Sequence, residues 1–393
     1  MIPTYYEFLN SVKILSGKKA LENIPFELKN LGAKRPIILT NEMLVKLGIV
    51  EQVLNAFKGS EVIIGAVYED IPADSSVKVV NEIAAIYRKN SCDSIIAIGG
   101  GSVIDTAKGL NIVITEGSDD ILNFMGAEIL TKQQQPFIVV PTTAGTGSEV
   151  TLVAVIANPD KDVKMEFVSY NLLPNVAVLD PRMTISLPPK ITASTGMDAL
   201  VHAIEAYTCI QKNPLSDAYA LAAINLIREY LPKVIKDGKD EEARLAMANA
   251  SLMAGVSFSN SMVGIVHAIG HSLGGVCHVP HGDAMAILLP HGMEYNLDVI
   301  ANFYAELLLP IAGADIYAVT PKENRASKLI EIIREYNSFL NKEANLPNRL
   351  RDVGVKKEDF AQIALTAIND GAIIFNPKEV SYEDVMNILE KAY

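Results

Sequence analysis

The chain predicts an α/β N-terminal half built on a mainly parallel sheet, followed by an all-α C-terminal half. Three observations carry this. Short β-branched runs alternate with helical stretches up to about residue 185, the rhythm of an α/β sheet. Runs such as Ile95-Ile-Ala-Ile98 are apolar throughout, as strands are when both faces of a parallel sheet are covered. After Pro188-Pro189, apolar residues recur at three- and four-residue spacing with no strand pattern. At 393 residues the chain is too long for one ordinary core. The expected domains are 1–186, an α/β domain, and 187–393, a helical domain.

The expected strands are Val12–Leu15, Pro36–Thr40, Val62–Val67, Ser94–Ile98, Phe137–Val140 and Val176–Leu179. Helical segments lie between them, among them Glu42–Phe57 and Ser76–Asn90. In the second half, Asp217–Ile235, Glu241–Asn260 and Arg325–Ala344 carry the helical period.

The strand ending at Ile98 runs into Gly99-Gly-Gly-Ser102 and then a helix that includes Asp105 and Lys108. Glycines at such a junction let backbone N–H groups approach a phosphate, and the helix N-terminus adds partial positive charge. A second loop, Thr142-Thr-Ala-Gly-Thr-Gly-Ser-Glu149, follows Phe137–Pro141 and is rich in small hydroxyl and glycine residues. Two such loops at the carboxyl ends of two strands mark one crevice, the place where open α/β sheets bind ligands. Neither the GxGxxG fingerprint nor the GxxxxGK[ST] loop of classical NTPases is present.

All six histidines fall between His202 and His291. Asp198 and His202 stand four apart, as do His267 and His271, and His278-Val-Pro-His281 follows. Residues at i and i+4 share a helix face, so each pair can aim two ligands at one point. Imidazoles with one carboxylate suit a divalent transition metal such as Zn or Fe, not Mg or Ca.

Composition excludes several classes. A net charge of −12 argues against nucleic acid or an anionic membrane surface as a partner. The start, MIPTYYEFLN, lacks a basic segment before an apolar core, so no secretory signal is read, and no apolar run is long enough to span a bilayer. Cys92, Cys209 and Cys277 form no CxxC pair and no disulfide framework, which fits a reducing cytoplasm.

Taken together, these motifs resemble the iron-containing (group III) alcohol dehydrogenases. The resemblance rests on Gly99–Lys108, Pro141–Thr151, Gly196-Met-Asp-Ala-Leu-Val-His-Ala-Ile-Glu-Ala-Tyr207 and the run from His267 to Gly282, in the family's order and over nearly the whole chain. It implies a dehydroquinate synthase-like architecture and a homo-oligomer, dimer or larger. The metal ligands it implies are Asp198, His202, His267 and His281, with Fe2+ as the ion and Zn2+ as the alternative. His271 matches a histidine beside the nicotinamide, and His278 and His291 receive no role; His291 reads as simply packed. Cys277 reads as a small buried side chain. For the cofactor, the resemblance implies Gly100, Gly101 and Ser102 around the pyrophosphate, Thr142, Thr143, Gly145 and Thr146 from the second loop, and Lys164 at the ribose. Asp105 reads equally as a nicotinamide contact or as a favourable charge at a helix N-terminus.

The chain departs from the family pattern at several positions. Where many NAD-preferring relatives place an aspartate against the adenosine ribose, it has Asn41, which can bond a hydroxyl but carries no charge to repel a 2′-phosphate. NAD is the expected cofactor and NADP the alternative. Ala73-Asp74-Ser75 replaces an Asn-Pro-Thr of relatives. Val153 replaces an asparagine near the substrate, and with Phe258 it implies a drier pocket suited to simple alcohols rather than diols.

The expected activity is hydride transfer between a small primary alcohol, or its aldehyde, and a nicotinamide cofactor. His271, whose unperturbed pKa is ~6.5, is the candidate proton relay. One rival is a nicotinoprotein transhydrogenase that retains its NAD. Another is a lyase of the dehydroquinate synthase type, which needs a cationic pocket; the cations between 196 and 291 (Lys212, Arg228, Lys233, Lys236, Lys239, Arg244) read mostly as helix exteriors.

Overall fold

The computed structural model describes residues 3–73, 75–118, 120–158 and 163–393, the side chains of residues 163 and 164 excepted. The chain divides into two compact units. One is Leu9–Ser186, and the other is Leu187–Tyr393 together with Met1–Phe8. Phe8 stacks on Tyr219 of the helical unit, with ring centroids 5.8 Å apart.

In the first unit the strands are β1 (Lys13–Ser16), β2 (Pro36–Leu39), β3 (Ala66–Tyr68), β4 (Ser94–Gly99), β5 (Gly126–Ala127), β6 (Phe137–Pro141), β7 (Val153–Asn158), β8 (Val163–Val168) and β9 (Val176–Leu179). Six form a parallel sheet in the order β1-β9-β6-β4-β2-β3. Its helices are α1 (Ile24–Asn30), α2 (Glu42–Lys46), α3 (Ile49–Asn55), α4 (Val77–Lys89) and α5 (Gly101–Glu116). Side chains alternate faces along a strand, so each apolar run feeds two cores. Ile37, Leu39, Ile95 and Ala97 pack with α4 and α5, while Ile38, Ile96, Ile98, Ile138 and Val140 pack with α1 and α3. From edge strand β3 the chain crosses back over β2 to β4, so the carboxyl ends of β2, β4 and β6 lie side by side.

Three sequence expectations are corrected here. The helix expected over Glu42–Phe57 is two helices, because Gly48 adopts the left-handed conformation (φ 72°) and ends the first. The strand expected at Val62–Val67 forms its ladder only from Ala66, although Ile63 and Gly65 already donate to the carbonyls of Lys34 and Pro36. The antiparallel pair β7–β8, with β5 beside β8, was not expected at all. Its signal was the short apolar run Val153-Ala-Val-Ile-Ala157, ended by Asn158-Pro159.

The second unit holds α6 (Pro189–Thr208), α7 (Pro214–Lys236), α8 (Glu241–Ser259), α9 (Ile265–Cys277), α10 (His281–Ala312), α11 (Ala314–Val319), α12 (Arg325–Ala344), α13 (Phe360–Ala367) and α14 (Tyr382–Ala392). No described residue of it is in a strand. Helix α6 is buried on nearly every side from Thr192 onward, as a central helix packed against α7, α8 and α10 must be. Arg244, one of the six cations read as mostly on helix exteriors, is buried. Its guanidinium donates to Gly238 O, Thr192 Oγ1 and Leu187 O, so each face of the fork finds an acceptor. No helix among the described residues is long and apolar enough to cross a membrane.

Candidate functional site

In the helical unit, α6 carries Asp198, His202 and Glu205 at i, i+4 and i+7, one face of a buried helix. Helix α9 carries His267 and His271 in the same relation, and His281 is the first residue of α10. These three elements bring Asp198, His202, His267 and His281 together, with one potential ligand atom from each within 4.8 Å of the others. From Asp198 Oδ1, His202 Nδ1 is 3.7 Å away, His267 Nε2 3.9 Å and His281 Nε2 3.3 Å. Asp198 Oδ1, His202 Nδ1 and His267 Nε2 are buried with no hydrogen-bond partner. Buried polar atoms left unpaired are costly, and three converging on one point fit a bound cation. Burial presses the His202 imidazole down to about 3 and His267 well below its ordinary value, so both rings are neutral, the form that ligates metal.

The candidate ligands have partners behind them. Glu205, unassigned in the sequence reading although it lies in the quoted motif, places Oε2 2.6 Å from His267 Nδ1. The same carboxylate accepts from the amides of Gly264 (3.0 Å) and Val266 (2.8 Å) at the start of α9. Phe258 stacks on His202, with centroids 4.2 Å apart and planes 13° from parallel, so the phenyl ring fixes that imidazole's plane. His271, 39% exposed, places Nδ1 2.9 Å from Asp370 Oδ2 and stacks on His281 at 5.5 Å. Asp370 had no sequence signal, since it lies 99 positions from its partner. His278 takes a left-handed conformation as the C-cap of α9, and His291 is packed near Glu294, so neither joins the cluster. Cys277 is half-buried rather than buried.

In the α/β unit, Gly99 ends β4 and Gly100 is the N-cap of α5, with no side chain capping the helix. Its first amides are thus available to an anion. The second loop lies against the first: Thr142 N donates to Gly99 O, and a Cβ at Gly100 or Gly101 would come within 3.1 Å of Thr143 or 3.2 Å of Thr146. Gly147 is left-handed (φ 63°), and Thr146 Oγ1 accepts from Ser148 N, which shapes the turn beyond Gly145. Ser102 Oγ donates to Ala73 O, while Asp74 lies outside the described residues. Asn41, just past β2, caps α2 by accepting from Leu44 N at 3.0 Å. Asp105 accepts from Val155 N, and burial raises its pKa to about 6. Lys108, fully buried, donates to the carbonyls of Thr151 and Val153, and the second of these bonds anchors Val153 at the start of β7. Lys164 lies on β8, its side chain outside the described residues.

Comparison with known proteins agrees with this arrangement. Residues 11–181 match the family model described as iron-containing alcohol dehydrogenase, and residues 192–393 match the Fe-containing alcohol dehydrogenase family, C-terminal. The chain is 37% identical to a 1,3-propanediol dehydrogenase of Klebsiella pneumoniae, covering 96% of each chain. It is 35% identical to an NAD-dependent methanol dehydrogenase of Bacillus methanolicus, covering 96% of this chain and 97% of the relative. The crystal structure of a 1,3-propanediol oxidoreductase superposes with a TM-score of 0.94 at 35% identity, covering 99% of this chain and 100% of that one.

Proposed function

This chain belongs to the iron-containing alcohol dehydrogenases, and from that premise we propose which alcohols it oxidises and which residues do the work. It is an oxidoreductase that takes a hydride from the carbinol carbon and a proton from the hydroxyl, leaving an aldehyde and a reduced nicotinamide. The observation that carries the site assignment is the convergence of buried, unpaired atoms of Asp198, His202 and His267 beside His281.

Asp198, His202, His267 and His281 would hold Fe2+, with Zn2+ as the alternative. A divalent ion there supplies Lewis-acid activation of an alcohol oxygen when bound. The uncapped N-terminus of α5, with Gly100, Gly101 and Ser102, binds the pyrophosphate, and Thr142, Thr143, Gly145 and Thr146 complete that cradle. Asp105 and Lys164 are assigned to the nicotinamide and ribose ends. Asn41 already spends its Oδ1 on an amide, which leaves its side-chain NH2 for the ribose. With no carboxylate at that position, NAD is the cofactor and NADP is tolerated. His271, oriented by Asp370, moves the proton. Val153 and Phe258 favour simple primary alcohols over diols. The three cysteines are free, which supports a reducing, cytoplasmic setting.

The test is anaerobic assay of Fe2+-loaded protein with NAD or NADP, comparing 1-butanol with 1,2-propanediol. Higher kcat/KM on butanol with either cofactor is expected, and His271→Ala keeps its metal but loses turnover. A strong diol preference refutes the dry pocket, and unchanged kinetics in the variant remove His271 from the mechanism. No turnover, with NAD retained through gel filtration, would point to a transhydrogenase.

A further inference from the structure

Glu205 is a buried carboxylate that the metal reading above does not use. Its two oxygens receive N–H donors from one side only. Oε1 accepts from Val266 N, and Oε2 accepts from Gly264 N and lies 2.6 Å from His267 Nδ1. With Glu205 ionised, His267 Nδ1 carries the ring proton and the bare Nε2 turns toward Asp198 Oδ1.

The charges around the cluster give this pair a second consequence. Three neutral imidazoles and one carboxylate leave a divalent ion with one uncompensated positive charge in a buried site. Burying such a charge is expensive unless an opposite one is near. Glu205 reaches the cluster through His267. It is 6% exposed and among the described residues bonds no Lys or Arg, its acceptor bonds running to the amides at the start of α9 and to His267. The same elements brace it further. Asn376 Oδ1 accepts from Ile265 N at the start of α9 and from Asn296 Nδ2, so that helix end is held from both sides.

We propose that Glu205 is a positioning residue for the metal centre: through His267 it sets the tautomer that ligates and supplies the second negative charge that neutralises a divalent ion. This rests on the metal-site reading above, and the experiment separates the two. Metal-free full-length protein is titrated with Zn2+ against a chelator, and the melting temperature of the metal-free form is measured in parallel. Wild type binding no ion would overturn the site reading itself, whatever Glu205 does.

Glu205→Gln keeps the shape and one acceptor oxygen but removes the charge. It is expected to weaken Zn2+ binding by about 10–100-fold, the range for such outer partners, with metal-free melting close to wild type. Glu205→Asp keeps the charge and is expected to bind more tightly than the Gln variant, and it serves as the probe should the Gln variant not fold. The Co2+-loaded forms add a readout independent of turnover, because a displaced His267 changes the visible absorption of the ion. The proposal is overturned if Glu205→Gln lowers metal-free melting but leaves affinity and spectrum unchanged, or if Glu205→Asp binds more weakly than Glu205→Gln.

Discussion

His267 is buried and His291 half-buried, and what separates the two imidazoles is what they face. His267 meets the Glu205 carboxylate on one nitrogen and faces Asp198 with the other. His291 has Glu294 only at 4.0 Å, and that carboxylate is paired with Arg334. Burial lowers the His291 pKa to about 4, against ~6.5 in an unfolded chain. As pH falls the unfolded state takes the proton first, so the folded state keeps its full margin above pH ~6.5 and loses it on the way to about 4. His291→Leu removes that loss. Its stability relative to wild type should improve by about 2 kcal/mol between pH 7 and pH 5, read from urea unfolding. A difference that does not change with pH would mean that His291 is not held neutral in the fold.

At the scale of elements, two glycines look alike in sequence and differ in the fold. A Cβ at Gly282 would lie 2.4 Å from Ser194 O, which is backbone of α6 and cannot yield. A Cβ at Gly270 would meet Met285 Cε, the far end of a flexible side chain. Gly282 therefore lets the first turn of α10 press directly on α6, which seats His281 beside Asp198. Gly282→Ala should cost about 1–3 kcal/mol of stability and weaken Zn2+ binding, whereas Gly270→Ala should be milder on both counts. Thermal melts and chelator competition on the two variants check this, and equal effects would contradict it. The α/β unit obeys the same logic at Gly99, where a Cβ would strike Val103 on α5 at 2.5 Å.

For the whole molecule, the consequence of the cluster is linkage. An ion bound only by the folded chain stabilises it by about 4 kcal/mol at a thousandfold excess over its Kd. Adding Zn2+ to metal-free protein should raise the melting temperature, a chelator should reverse the rise, and Asp198→Asn should abolish it. A melting temperature of the metal-free protein that Zn2+ leaves unchanged would argue against a bound ion at these residues.

The sequence by itself determined what depends on neighbours along the chain. Short runs that are apolar throughout, and the 3.6-residue period, pointed to the parallel-sheet unit and the helical unit, because they report which faces are buried. The two glycine loops and the i, i+4 pairs were equally visible, being local. Helix punctuation was less so: Gly48 breaks a helix by its left-handed backbone, which an apolar period does not reveal. Local spacing left open which histidines meet; the family resemblance named His202, His267 and His281 with Asp198, and the structure brings those four together. His278, three residues before His281, caps a helix instead of joining the cluster. Only the tertiary structure decided the pairs Glu205–His267 and Asp370–His271, whose members stand 62 and 99 positions apart, and the burial of Arg244. A carboxylate's role depends on the donors that surround it, and those donors are set by how helices pack, not by the residues beside it in the chain.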